Sequence, residues 1–157
     1  MRRNASTANK ILIASGVNLD LLGQREPQIY GTATLAEMER LLKDFFKTYK
    51  KKHKLDNLRL VFFQTNNEEK FLNEISRGYL GAVVNAGAWT HTSLAIADRL
   101  KGVNLPFVEV HVSDIKTRES FRRESFLEPI ALASISGYGI RSYKVGLDKL
   151  LKHLLVL

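Results

Sequence analysis

Cysteine is missing altogether from this 157-residue chain. Disulfides, thiolate metal sites and a cysteine nucleophile are therefore excluded, although the absence says nothing of compartment. No apolar run approaches the roughly 18 residues of a membrane span, and Met1 to Asn9 lacks the apolar core of a signal peptide. The expectation is a cytoplasmic protein without a membrane partner. No G-x-G-x-x-G or P-loop follows the first predicted strand, which disfavours a nucleotide-binding domain. Acids are scarce: 16 Asp and Glu stand against 24 Lys and Arg, a formal charge of +8. Nucleic acid is the first explanation for such an excess, and a small anionic substrate the second. The densest block, "KTYKKKHK" (Lys47 to Lys54), falls at a predicted helix end, where cations suit the negative pole of the dipole. It carries no aromatics at a base-stacking spacing and no nucleic-acid motif, so it reads as a solvated helix end.

What is present is ordinary for a globular chain, with 45% apolar and 25% charged residues. Residues 1–9, polar and without acids, are expected to be a flexible N-terminal tail. Residues 10–157 are expected to be a single catalytic domain, with no repeat and no low-complexity segment. Five β-rich runs stand out: Lys10 to Ser15, Leu58 to Gln64, Leu80 to Asn85, Pro106 to His111 and Ala131 to Ser136. Helical spacing lies between them. Leu35, Met38, Leu41, Leu42, Phe45, Phe46 and Tyr49 make one stripe, opened by a capping box at Thr34 and Glu37. Phe71, Leu72 and Ile75 mark a second helix, and Leu94, Ile96, Ala97 and Leu100 a third. Tyr143, Leu147, Leu150, Leu151 and Leu154 mark the last, despite a helix-weakening Gly146. Strand alternating with helix implies a parallel sheet covered on both faces. Right-handed crossovers then favour a three-layer, flavodoxin-like α/β fold with strand order 2-1-3-4-5.

In such a sheet the strand C-termini share one edge, and ligands bind there. Arg25 and Tyr30 follow the first strand, Asn85 and His91 the third, and Glu109 and His111 end the fourth. Glu109 and His111 are two apart, so the pleat turns both to one face. A buried ion pair that only packs is the plain reading, but such pairs stabilise weakly because desolvation offsets attraction. A carboxylate on one imidazole nitrogen fixes the tautomer of a working histidine, which favours an acid–base role. Metal is the weaker branch, since no compact set of further ligands accompanies the two histidines. The connection from Gly16 to Gly31 is long for this fold, hence a candidate functional loop. A tyrosine of ordinary pKa, about 10, is a poor base at neutral pH. A guanidinium about 4 Å away contributes about 4 kcal/mol towards its phenolate at an effective dielectric near 20, before desolvation is subtracted. Tyr30 as a packing residue and Arg25 as a surface charge would be the default for either alone.

Five stretches in this order, "SGVNLDLLGQREPQIYG", "FFQTNNE", "NAGAWTHTS", "EVHVSDIKTRESFR" and the late "GYG", resemble type II 3-dehydroquinate dehydratase. The resemblance runs from about Lys10 to the final helix. It implies a flavodoxin-like subunit in a dodecamer built from trimers, using no metal or cofactor. It implies anti elimination of water from 3-dehydroquinate, giving 3-dehydroshikimate through an enolate, within the shikimate pathway. Tyr30 would be the base, Arg25 would lower its pKa, and Arg118 would be a second charge near it. Asn18 would position a water on the enolate oxygen. His111 would be the acid, with Glu109 orienting it. Asn85 and His91 would bind substrate hydroxyl and carboxylate, the Val112 and Ser113 amides the carboxylate, and Arg122 a ring hydroxyl. Asp98 resembles an acid that reaches a neighbouring subunit's site. Val17, Asp20, Ala86, Trp89 and Asp114 depart from the usual family residues, without removing a proposed acid, base or anchor. The alternative from another class is a catalytically inactive, basic flavodoxin-like binding module for nucleic acid or a protein partner.

Overall fold

The computed structural model describes residues 8–156. The expected tail therefore lies, over residues 1–7, outside the described residues. Five parallel strands form one sheet: β1 (Lys10–Ser15), β2 (Arg59–Gln64), β3 (Gly81–Asn85), β4 (Phe107–His111) and β5 (Ser134–Ser136). Their order is β2-β1-β3-β4-β5, the flavodoxin-like order expected. The helices are α1 (Pro27–Tyr30), α2 (Leu35–His53), α3 (Glu68–Ile75), α4 (Leu94–Gly102) and α5 (Arg141–Val156).

Alternation along the strands divides the core. Ile11, Ile13, Val83, Val108 and Val110 face α2 and α5, packing on Met38, Leu42, Phe46, Leu147, Leu150 and Leu151. Leu12, Ala14, Ala82, Val84 and Phe107 face the other way, onto Phe71, Ile75, Ile96 and Leu100 of α3 and α4. Glu109 and His111 share the parity of Phe107 and so sit on the α3–α4 side. The capping box forms as expected: Thr34 Oγ1 accepts from the Glu37 amide at 3.2 Å, and Glu37 Oε2 accepts from the Thr34 amide at 2.7 Å.

The structure adds detail to three of the sequence readings. The loop from Gly16 to Gly31 is largely ordered into turns, a 3-10 turn at Leu19–Leu21 and the short helix α1. Leu94 opens α4 but is exposed rather than inward-facing. The regular part of the last strand starts only at Ser134, although Leu132 and Ala133 already bond to Phe107 and Glu109 at 2.8 and 2.9 Å. Gly146 is more than a weak point in α5. A Cβ there would lie 2.5 Å from Cγ1 of Val110, so glycine is what lets the helix close on the sheet. Among the described residues no helix is long and apolar enough to cross a membrane.

Candidate active site

One cavity of about 160 Å³ opens at the C-terminal edge of the sheet. Its wall takes Asn18, Arg25 and Tyr30 from the connection after β1, Asn85 and His91 from β3 and the turn after it, and His111, Val112, Ser113, Arg118 and Arg122 from β4 and its following loop. Ten sequence-predicted residues thus meet in one space. Two do not line it. Glu109 lies behind His111, and Asp98 is exposed on α4.

The tyrosine is held by two guanidinium groups. Nη2 of Arg25 donates to the Tyr30 hydroxyl at 2.7 Å and Nη1 of Arg118 donates at 3.1 Å. The Arg25 guanidinium also lies 4.5 Å from the ring centroid. Burial pushes the Tyr30 pKa up, but the hydrogen bonds from Arg118 and Arg25, with their charges, outweigh it and leave the phenol below its ordinary value. These contacts come from residues 88 positions apart as well as five, so only the fold assembles them. Arg118 is itself steadied by Glu119, 3.3 Å from its Nε, and donates to Ser113 Oγ at 3.4 Å.

The fourth strand supplies the second group. Nε2 of His111 lies 2.8 Å from Oε1 of Glu109, with both side chains almost wholly buried. Burial acts to raise the carboxyl pKa, yet the His111 hydrogen bond and charge, with the Ser125 and Thr90 hydroxyls, bring it down to about 2. An ionised carboxylate only accepts, so Nε2 must carry the proton. Nδ1 then has no protein hydrogen-bond partner among the described residues, and His111 lines the cavity. His91 lies nearly parallel to it, ring centroids 6.5 Å apart. Nδ1 of His91 donates to the Glu124 carbonyl at 2.6 Å. Its pKa is lowered, chiefly by desolvation and despite that carbonyl, which favours the neutral ring with Nε2 as an acceptor.

Supporting contacts place the remaining groups. Asn18 has φ of 65°, a left-handed conformation that Asn tolerates, and its amide donates to Asn66 Oδ1 at 2.8 Å. Asn66 donates in turn to Asp20 at 3.2 Å, and Gln64 to the Gly16 carbonyl at 3.2 Å. The connection after β2 therefore braces the loop after β1 and does not line the cavity. The "GYG" stretch does likewise: Gly139 donates to the Val112 carbonyl at 3.1 Å, while Tyr138 is exposed. Asn85 is buried and its Oδ1 accepts from the Gly87 amide at 3.1 Å. Nε of Arg122 makes no hydrogen bond but lies 3.5 Å from Oε2 of Glu119, an ion pair that holds the guanidinium at the cavity wall. Among the unusual residues, Val17 lines the cavity, Asp114 caps the next 3-10 turn, and Trp89 packs edge-on against Phe71. Sequence reasoning missed Thr90, Ser125 and Ser134, which surround Glu109; nothing in local spacing links them. Among the described residues no three His, Asp or Glu side chains are grouped as a metal site needs.

A phenol biased towards phenolate and a carboxylate-held imidazole in one cation-lined cavity can remove a proton and deliver one to an anionic substrate. Comparison with known proteins agrees in kind. The family model described as "Dehydroquinase class II" matches residues 9–151. A 3-dehydroquinate dehydratase of Prochlorococcus marinus (strain MIT 9301) is 45% identical over 147 residues, covering 92% of this chain and 95% of that protein. One from Trichodesmium erythraeum (strain IMS101) is 43% identical, covering 92% and 93%. The crystal structure of type II dehydroquinase from Butyrivibrio crossotus superposes with a TM-score of 0.82 at 34% identity, covering 94% of this chain and 99% of that one. With the sheet order and the matched span in agreement, this chain belongs to the class II dehydroquinase family.

Proposed function

We propose that this chain is a 3-dehydroquinate dehydratase, a hydro-lyase of the shikimate pathway that converts 3-dehydroquinate to 3-dehydroshikimate and water. The observation that carries the reading is Tyr30 held by Arg25 and Arg118 in the same cavity as the Glu109–His111 pair. The Tyr30 phenolate removes the proton next to the ketone, and the electron pair moves onto the carbonyl oxygen as an enolate. Asn18 positions a water on that oxygen. Collapse of the enolate expels the β-hydroxyl, which takes a proton from Nδ1 of His111 and leaves as water. Glu109 is a positioning residue, since it touches the imidazole and not the cavity. Arg122, Asn85 and the Val112 and Ser113 amides hold the substrate's hydroxyls and carboxylate. His91, with Nδ1 committed to a carbonyl, accepts from a substrate hydroxyl through Nε2 rather than donating to its carboxylate.

The inactive binding module fits less well, because binding alone gives no reason for two arginines on one phenol. The reading extends to a dodecamer built from trimers, in which Asp98 reaches a neighbouring site, and to a cytoplasmic location. Formation of the conjugated enone from 3-dehydroquinate, followed by absorbance, tests the reaction. Turnover is expected for the natural chain, with Tyr30→Phe and His111→Ala each slower by at least about 10²-fold. A Tyr30→Phe variant of undiminished activity rejects the assigned base, and a natural chain without turnover rejects the function.

A further inference from the structure

Thr90 and Ser125 take no part in the chemistry above, yet both grip the carboxylate behind the acid. Oγ1 of Thr90 and Oγ of Ser125 each lie 2.6 Å from Oε1 of Glu109, and the two hydroxyls are 2.8 Å apart. Ser134 Oγ donates to Oε2 at 3.0 Å. Glu109 and Thr90 are both fully buried, at 0% exposure. Three hydroxyls and one imidazole therefore replace the water that this carboxylate gives up. Hydrogen bonds to the charged form keep a buried carboxyl ionised. An ionised Glu109 accepts only from a nitrogen that bears hydrogen, so the hydroxyls decide which face of His111 carries the proton inward.

The same short segment also reaches the second histidine. The Glu124 carbonyl accepts from His91 Nδ1 at 2.6 Å, and the Phe126 amide donates to the Thr90 carbonyl at 2.9 Å. Ser125 Oγ further accepts from the Leu127 and Glu128 amides at 3.0 Å each, which fixes the turn that carries it.

We propose that Thr90 and Ser125 are positioning residues for the proton-donating histidine: their hydroxyls hold Glu109 as a fixed anion, so that His111 keeps hydrogen on Nε2 and presents Nδ1 to the cavity. The inference deepens the dehydratase reading and rests on it for its kinetic consequence. Other charged or titratable groups facing this pair are His91 from the turn after β3, Arg118, Arg122 and Lys116 from the loop after β4, and Arg25 and Tyr30 from the connection after β1. None of them is altered by the variants below.

Thr90→Val keeps the shape and removes only the hydroxyl; Thr90→Ser restores the donor. Each is compared with the natural chain by steady-state kinetics on 3-dehydroquinate, by thermal melting, and by ¹⁵N-histidine NMR of the His111 ring. For Thr90→Val we expect kcat down about tenfold with KM nearly unchanged, a part of the roughly 10²–10⁴-fold that a positioned general acid contributes. With Glu109 held less firmly, the neutral ring should lose its single Nε2–H signature, and Thr90→Ser should recover both the signature and kcat. An unchanged tautomer overturns the proposal, as does a loss of kcat that only tracks the melting temperature. Should Thr90→Val not fold, Ser125→Ala decides by the same readouts. A natural chain without turnover rejects the dehydratase reading, while the nitrogen spectra still judge the hydroxyl cradle.

Discussion

At the scale of single residues, the decisive fact is that one phenol receives two guanidinium donors. Arg25 comes from the same connection as Tyr30, whereas Arg118 comes from beyond β4. Removing Arg118 leaves burial less opposed, so the Tyr30 pKa rises towards its ordinary value of 10.0. Because the base must be deprotonated to act, a raised pKa moves the acidic limb of kcat/KM to higher pH. For Arg118→Ala we expect that displacement, with activity at pH 7 reduced by about tenfold or more. A pH series of kcat/KM checks it, and a limb that stays in place would show that Arg118 does not tune the base. This half of the site was partly legible beforehand, since Arg25 and Tyr30 are five residues apart. The neighbours of Glu109 were not, because Thr90, Ser125 and Ser134 are 19, 16 and 25 positions from it. No spacing rule connects side chains that meet only after strands and turns have packed.

Elements show a similar division. The α2 start was readable from Thr34 and Glu37, because a capping box is chemistry within one turn. Gly146 shows where propensity misleads. Alone it marks a weak helix; in place it admits Val110, with Val108 and Val83 each 3.4 Å from a would-be Cβ. Gly146→Ala gains about 1 kcal/mol of helix propensity. The clash with strands β3 and β4 should outweigh that gain, for a net loss of about 1–3 kcal/mol. Urea unfolding measures it: the midpoint should fall for Gly146→Ala and partly recover when Val110→Ala is added. A raised midpoint would mean that α5 does not press on the sheet at this position.

For the whole molecule, the excess of 24 basic over 16 acidic residues gathers partly in the cavity, where Arg25, Arg118 and Arg122 line one small space. That placement suits a carboxylate substrate better than nucleic acid, whose partners present broad basic faces. Leu94, Phe121 and Tyr138 are 60%, 68% and 63% exposed, large apolar side chains beside α4, the cavity loop and β5. Such exposure agrees with burial between subunits. Sedimentation of the purified chain should give the mass of twelve copies, and a monomer at micromolar concentration would contradict the assembly proposed above.

Periodicity, capping and turn chemistry in the sequence determined the five strands, the four longer helices and the sheet order, because those signals act over a few residues and right-handed crossovers leave few arrangements. The sequence also placed an acid and an imidazole on one face of β4, since a pleat has a period of two. Only the tertiary structure decided which loops meet at the cavity and which brace from behind. It put Arg118, which only the family resemblance had set near Tyr30, in hydrogen-bond contact with the phenol, and it alone brought three hydroxyls to Glu109. Hydrogen bonds of 2.6 to 3.1 Å form between side chains that the packed sheet holds at fixed distances, and chain order does not encode such distances.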